Sequence, residues 1–138
     1  DDTTKEELLR FCALVHDIGK KETIRHENGR DYCPGHDKAG EEKLRLILPR
    51  LRFTAAQIHF LVTMVGKHLT VIDAAKAAGE GKISQQDVLN RAAASPYPEE
   101  LTLHGYADML GGHSRKLNPP LFAAMEKSFR DVLTALLK

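Results

Sequence analysis

Apolar residues recur along this chain at the three-and-four spacing of helices packed on one face, and nowhere do they alternate over four or more positions as in a half-buried strand. Thr4-Lys5-Glu6-Glu7 opens the first such stretch as a capping box, and Leu8, Cys12, Val15 and Gly19 follow on one stripe, which predicts a helix ending near Gly19. Residues 20–35 hold Gly29, Pro34 and Gly35 among mostly charged side chains without a period, so they read as a loop. A loop of that length is usually functional or mobile. A second helix is expected from about 37 to 48, with Leu44, Ile47 and Leu48 inward and Pro49 ending it. Thr54-Ala55-Ala56-Gln57 is a further capping box ahead of Ile58, Leu61, Val62, Val65 and Leu69, and His68 falls on or beside that stripe.

The remaining pattern predicts a short alanine-rich helix over 71–78, another from 84 to about 94, and a break at Ser95-Pro96-Tyr97-Pro98. A helix from 99 to about 110 stops at Gly111-Gly112, and a last one follows Pro119-Pro120 with Phe122, Met125, Phe129, Val132, Leu133 and Leu136 inward. The expected fold is an all-α bundle of about six or seven helices, one domain over residues 1–138, without internal repeats.

Composition narrows the classes. A chain of 138 residues with 42% apolar and 28% charged residues can bury one core without disulfide or metal staples. No apolar run approaches the roughly 18 residues of a membrane span. Asp1-Asp2-Thr3-Thr4-Lys5 lacks the basic start and apolar stretch of a signal peptide, so the expected compartment is the cytosol. Twenty basic against nineteen acidic residues give a net charge of +1. No global field gathers an anionic membrane or nucleic acid, no DNA partner is evident, and anion binding must be local. Cys12, in the apolar run 11–15, and Cys33 are expected as free thiols.

The chemistry begins at His16-Asp17, near the end of the first helix. Adjacent helical side chains diverge by about 100°, yet both can converge on an ion off the helix flank. Imidazole with carboxylate suits Mn, Fe, Co, Ni or Zn, or Mg where carboxylate and water dominate. Alone, the dipeptide reads more simply as an exposed helix-end pair with the histidine favoured by the dipole. The other candidates carry similar alternatives. His36 sits in the first turn of its helix, where a cation opposes the dipole and neutrality or ligation is the easier state. His68 reads as a core histidine bonded to a carbonyl. Asp108 lies beside a face made by Leu103, Ala107 and Leu110, where an unpaired carboxylate is costly, and His104 one turn earlier is its natural partner. His26, His59 and His113 fall in no motif. Lys20, Lys21, Arg25 and Arg30 form either a solvated charged loop with Glu22, Glu27 and Asp31 or, through Lys20 and with Lys67 from the later helix, a cation set for a substrate phosphate. No Ser-His or Cys-His nucleophile pair is suggested, and Gly79-Glu80-Gly81-Lys82 is too short for a phosphate loop.

Taken in order, Ala13-Leu14-Val15-His16-Asp17-Ile18-Gly19-Lys20, Gly35-His36-Asp37-Lys38-Ala39-Gly40, Val65-Gly66-Lys67-His68-Leu69 and Tyr106-Ala107-Asp108-Met109-Leu110-Gly111 resemble the signature segments of the HD-domain superfamily of metal-dependent phosphohydrolases. Within it, Leu51-Arg52-Phe53-Thr54 with Gln57-Ile58 and Leu61-Val62 is most similar to the HD regions attached to tRNA nucleotidyltransferases and poly(A)-polymerase-like proteins. The resemblance implies His16 and Asp17 as the metal doublet, with Asp17 able to bridge two ions, Asp108 completing the first ion's shell, and His36 and His68 holding a second. It also implies that His16, Asp17 and Asp108 converge in the folded chain. The superfamily uses a further histidine upstream of the doublet, and none of the fifteen residues before His16 is one. Either the sequence is a fragment whose first helix lies outside it, or the site is incomplete, and in both cases we expect this chain as given to bind metal weakly, with slow turnover or none. The implied function is metal-dependent hydrolysis of a phosphomonoester or phosphodiester of a nucleotide or RNA end, with Asp17 and Lys20 as catalytic residues and Lys20 and Lys67 on the substrate. The alternative is a non-catalytic HD-type module that binds RNA or nucleotide or serves as scaffold.

Overall fold

The capping box at Thr4 forms as its spacing predicts: Thr4 Oγ1 accepts from the Glu7 N–H at 3.2 Å, and the Glu7 carboxylate accepts from the Thr4 N–H at 2.7 Å. Such a cap contributes about 1 kcal/mol to helix stability. The computed structural model describes residues 3–138; Asp1 and Asp2, at the start of the segment weighed against a signal peptide, lie outside them. The chain divides into two units, residues 1–67 and 68–138, each with its own core.

In the first unit, α1 (Lys5–Val15) ends four residues before Gly19, and turns occupy residues 16–19, closed by backbone bonds from Ile18 to Val15 and from Lys20 to Asp17, each 3.0 Å. Residues 20–35 are more ordered than the expected loop. They hold the one-turn helix α2 (Lys20–Thr23) and an antiparallel hairpin of β1 (Arg25–Glu27) and β2 (Arg30–Tyr32). Asn28 and Gly29 make the turn at φ 51° and 73°, the pair of positive values that a two-residue type I′ connection requires. The strands escaped the pattern because each is three residues long and exposed throughout, so no alternation marks them.

α3 (His36–Ile47) starts from Gly35, at φ 75°, and runs into a 3-10 turn over Leu48–Leu51. Pro49 sits in the first positions of that turn, where its missing N–H costs nothing. The Thr54 box opens α4 (Ala55–Lys67): Gln57 N donates to Thr54 Oγ1, and Thr54 N donates to Gln57 Oε1. Leu44 and Leu48 join Cys12, Phe60, Leu61, Val62, Met64 and Val65 in this unit's core.

Glycines set how closely the core helices approach. A Cβ on Gly19 would lie 2.2 Å from the His36 carbonyl oxygen and 2.5 Å from the Gly40 nitrogen, both backbone atoms that cannot swing aside. Gly40 in turn faces Val65, and the Glu41 carboxylate lies over Gly66. An ion pair from Lys43 to Glu22 ties α2 to α3.

The second unit comprises α5 (Thr70–Gly79), α6 (Gln85–Ala93), α7 (Pro98–Gly111), the one-turn α8 (Ser114–Leu117) and α9 (Pro119–Leu136). Its core gathers Val71, Ala74, Val88, Ala92, Leu101, Met109, Phe122, Met125, Phe129 and Val132. On α7 the expected inward face is wrong. Leu103, Ala107 and Leu110 are exposed, while the buried stripe is Leu101, Thr102, His104, Gly105 and Met109, with Asp108 half-buried among them. Thr102 can sit inside because its hydroxyl donates to the Pro98 carbonyl at 2.7 Å, and Gly105 because the Phe129 ring fills the space over it.

Among the described residues there are seven helices of nine residues or more, which is the all-α architecture expected, with the hairpin as its small addition. Contrary to the composition argument, the stretch Ala55–Gly79 is long and apolar enough to cross a membrane. Its apolar side chains include Leu61, Val62, Val65, Val71 and Ala74 of the two cores, and a core helix passes the same test.

Both cysteines are unbridged. Burial pushes the Cys12 thiol up to about 12, whereas Cys33 is partly open to solvent. Since the thiolate is the nucleophile, iodoacetamide at pH 8 should label one site in the folded chain, Cys33, and a second only after denaturation; mass spectrometry reads this directly, and early Cys12 labelling would refute its burial. Gly19→Ala should lower the urea midpoint by the equivalent of about 3 kcal/mol, the upper range of overpacking penalties.

Candidate metal centre

His16 closes α1, its N–H bonded to the Cys12 carbonyl at 2.8 Å, and its side chain turns back so that Nδ1 lies 2.8 Å from the Ala13 carbonyl. His36 repeats the device one element later. The left-handed Gly35 starts α3 so that His36 Nδ1 lies 2.8 Å from the Cys33 carbonyl. A carbonyl only accepts, so each Nδ1 carries the proton and donates it, and on the neutral ring each Nε2 is left with its lone pair.

Both Nε2 atoms face one carboxylate. His16 Nε2 lies 3.4 Å from Asp17 Oδ2 and His36 Nε2 lies 3.3 Å from Asp17 Oδ1. On neutral imidazoles these are lone pairs opposed to carboxylate lone pairs, an arrangement that is repulsive unless a proton or a cation lies between them. Lys20 supplies one cation, with Nζ 2.6 Å from Asp17 Oδ2. Burial works against ionisation of Asp17, but hydrogen bonds and charge from Lys20, and from His16 when a proton occupies the Nε2 position that a metal would otherwise take, outweigh it and hold the carboxyl well below the usual range. The result is an ionised carboxylate flanked by two imidazoles whose outer nitrogens are tethered to backbone carbonyls. This is the donor set, and the outer tether, that a divalent metal uses, so the residues of the first unit fit such an ion.

The other sequence candidates fall as follows. His68 is buried in the second unit, and its ring meets that of His104 edge-on at 5.9 Å between centroids. Asp108 lines a cavity of about 410 Å³ in that unit with Leu69, Met109 and Met125. Lys67 is exposed at the end of α4, while Lys38 donates to the neighbouring Gly66 carbonyl at 3.2 Å. His26 is exposed on the hairpin, paired with Asp31 across the strands, and His59 and His113 are exposed.

Sequence reasoning missed the two carbonyl tethers and a second feature, a cavity of about 570 Å³ beside His36, walled by Lys20, Lys21, Ile24, Tyr32 and Cys33. Asn28-Gly29 between two short runs was the available signal for the hairpin that builds it.

The chain is 35% identical over 69 residues to an A-adding tRNA nucleotidyltransferase of Deinococcus radiodurans, a match covering 49% of this chain and 16% of that protein. It is 33% identical over 70 residues to a multifunctional CCA protein of Legionella pneumophila strain Paris, covering 51% of this chain and 17% of that one. The matched segment thus spans about a sixth of the length of these curated relatives. No solved structure is significantly similar. The HD domain family matches residues 1–110, four-fifths of the sequence, and the chain belongs to that family.

Proposed function

We propose that the chain is a metal-dependent phosphohydrolase that removes phosphate from, or opens a phosphodiester in, a nucleotide or RNA end. The observation that carries this reading is the Asp17 carboxylate set between the tethered Nε2 atoms of His16 and His36. The name of one relative, an A-adding tRNA nucleotidyltransferase, supports an RNA or nucleotide substrate. Two unbridged thiols suit the reducing cytosol, where we place the protein.

His16 and Asp17 are assigned to one ion, with Asp108 as its distant ligand, and His36 and His68 to a second, as the family resemblance implies. A bound Mn, Mg, Fe, Co, Ni or Zn ion supplies Lewis acidity toward the phosphoryl oxygens and activates water near neutral pH. The chain's own residues do the rest. Asp17 stays ionised, as its depressed pKa requires, and the Ala13 and Cys33 carbonyls keep both imidazoles in the tautomer that presents Nε2. Lys20, paired with Asp17 in the resting chain, is assigned to a substrate phosphate, where its cation would offset charge growing on the phosphoryl oxygens. Lys67 is assigned a weaker, outer role at the phosphate. A helical module that binds nucleotide without turnover is the second reading, favoured by relatives whose printed activity is nucleotidyl transfer.

Calorimetric titration of Mn into the native chain should show binding that falls at least tenfold in Asp17→Asn and in His36→Ala, since loss of supporting groups alone costs about 10- to 100-fold. Phosphate release from a panel of nucleotides should vanish in Asp17→Asn and fall in Lys20→Ala with circular dichroism unchanged. Binding without release in the native chain would select the second reading, and unaltered affinity in both ligand variants would refute the site.

A further inference from the structure

The hairpin and α2 are not needed by the core: none of their residues is buried. They wall the 570 Å³ cavity, whose size lies within the roughly 300 to 1,000 Å³ of small-molecule sites and far exceeds what a phosphate group fills. His36 and Lys20 belong both to this wall and to the Asp17 cluster, so the cavity adjoins the residues that contact the carboxylate. Two large apolar side chains line it while remaining open to solvent, Ile24 at 46% and Tyr32 at 48% exposed. Lys21 adds a cation to the same wall, and Asp31 is engaged with His26. A flat aromatic surface, an aliphatic neighbour and two lysines beside a phosphate-handling centre match a ligand with a planar ring at one part and an anion at another.

Building on the phosphohydrolase reading, we propose that this cavity is a nucleobase pocket, in which Tyr32 stacks on the base of the substrate nucleotide while Lys21 holds its phosphate beside Lys20. The walls are fixed before any ligand arrives. The type I′ turn folds β2 back so that Tyr32 stands opposite Arg25, the Thr23 hydroxyl donates to the Gly19 carbonyl at 3.0 Å, and the Glu22–Lys43 pair holds α2 against α3. Tyr32 is therefore a specificity-determining residue that acts on the base and not on the reacting phosphorus.

AMP and ribose 5-phosphate differ only in the base, and Cys33 in the cavity wall reports occupancy without turnover. AMP should slow iodoacetamide labelling of Cys33 in the native chain at least about fivefold, and ribose 5-phosphate less than about twofold, the scale of base–aromatic stacking. Tyr32→Ala should lose the protection by AMP, and Tyr32→Phe should keep it. With Mn present, Tyr32→Ala should raise KM for AMP roughly tenfold, leave kcat within about twofold and leave ribose 5-phosphate unaffected. Tyr32-dependent protection in a native chain that releases no phosphate would sink the phosphohydrolase reading and leave the pocket standing. Equal protection by the two ligands, no protection by either, or full protection of Tyr32→Ala would overturn the pocket. A short oligoribonucleotide ending in adenosine phosphate adds the last distinction: stronger protection than AMP assigns the pocket to an RNA end, and equal or weaker protection assigns it to the free nucleotide.

Discussion

The candidate metal centre rests on one close approach, the backbone of Gly19 against the His36 carbonyl and the Gly40 nitrogen. Only a residue without Cβ lets the turn after α1 lie on the first turns of α3, and that contact brings His36 to the same carboxylate that His16 flanks from its own helix. A Cβ at Gly19 would lie 2.2 Å from the His36 carbonyl oxygen, so the two elements would have to part, and the 3.3 Å approach of His36 to Asp17 would open with them. Gly19 and Gly40 are thus packing residues whose effect is read out in the position of His36. Gly40 continues the logic by accepting Val65 of α4 almost at contact distance, so the same helix that carries His36 is seated on the core.

Electrostatics then decides what such a cluster holds. A part-buried carboxylate beside two imidazoles must be compensated, and the chain does so with Lys20 at 2.6 Å. Because Asp17 is ionised far below neutrality, its stabilising contacts are in place across the physiological range and fade only in strong acid, as its carboxyl takes up a proton. The tethered rings add direction to charge. Once Ala13 and Cys33 fix the Nδ1 protons, the cluster offers lone pairs on both sides of a space whose electrostatic demand is for a cation.

Much of this was legible in the sequence, for reasons specific to each residue. The caps at Thr4 and Thr54 are local, governed by three-residue spacing, and form as that spacing predicts. His16 and Asp17 are neighbours in sequence, so their proximity was never in question, whereas the approach of His36 depended on a glycine contact that no periodicity records. The inward face of α7 was misjudged because leucines at 103 and 110 outweighed Thr102 and Gly105 in a reading by hydrophobicity, and only tertiary partners, the Pro98 carbonyl and the Phe129 ring, reveal why the polar and small residues went inside. The hairpin was missed for the opposite reason, since a strand exposed on both faces carries no alternation to find.

That same exposure is informative about role. An Asn-Gly turn with three-residue strands contributes little to a core and is only marginally stable by itself. Here it is held at its edges, by the His26–Asp31 pair across the strands and by α2, which the Lys43 pair anchors to α3. An element that stabilises so little, yet is held beside an ionised, cation-seeking cluster, spends its order on shape rather than stability. The shape it makes is a wall with an aromatic ring on it, and the wall begins where His36 ends. Packing thus fixes the ligand positions, and the hairpin, free of packing duties, is where the sequence can vary what those positions act upon.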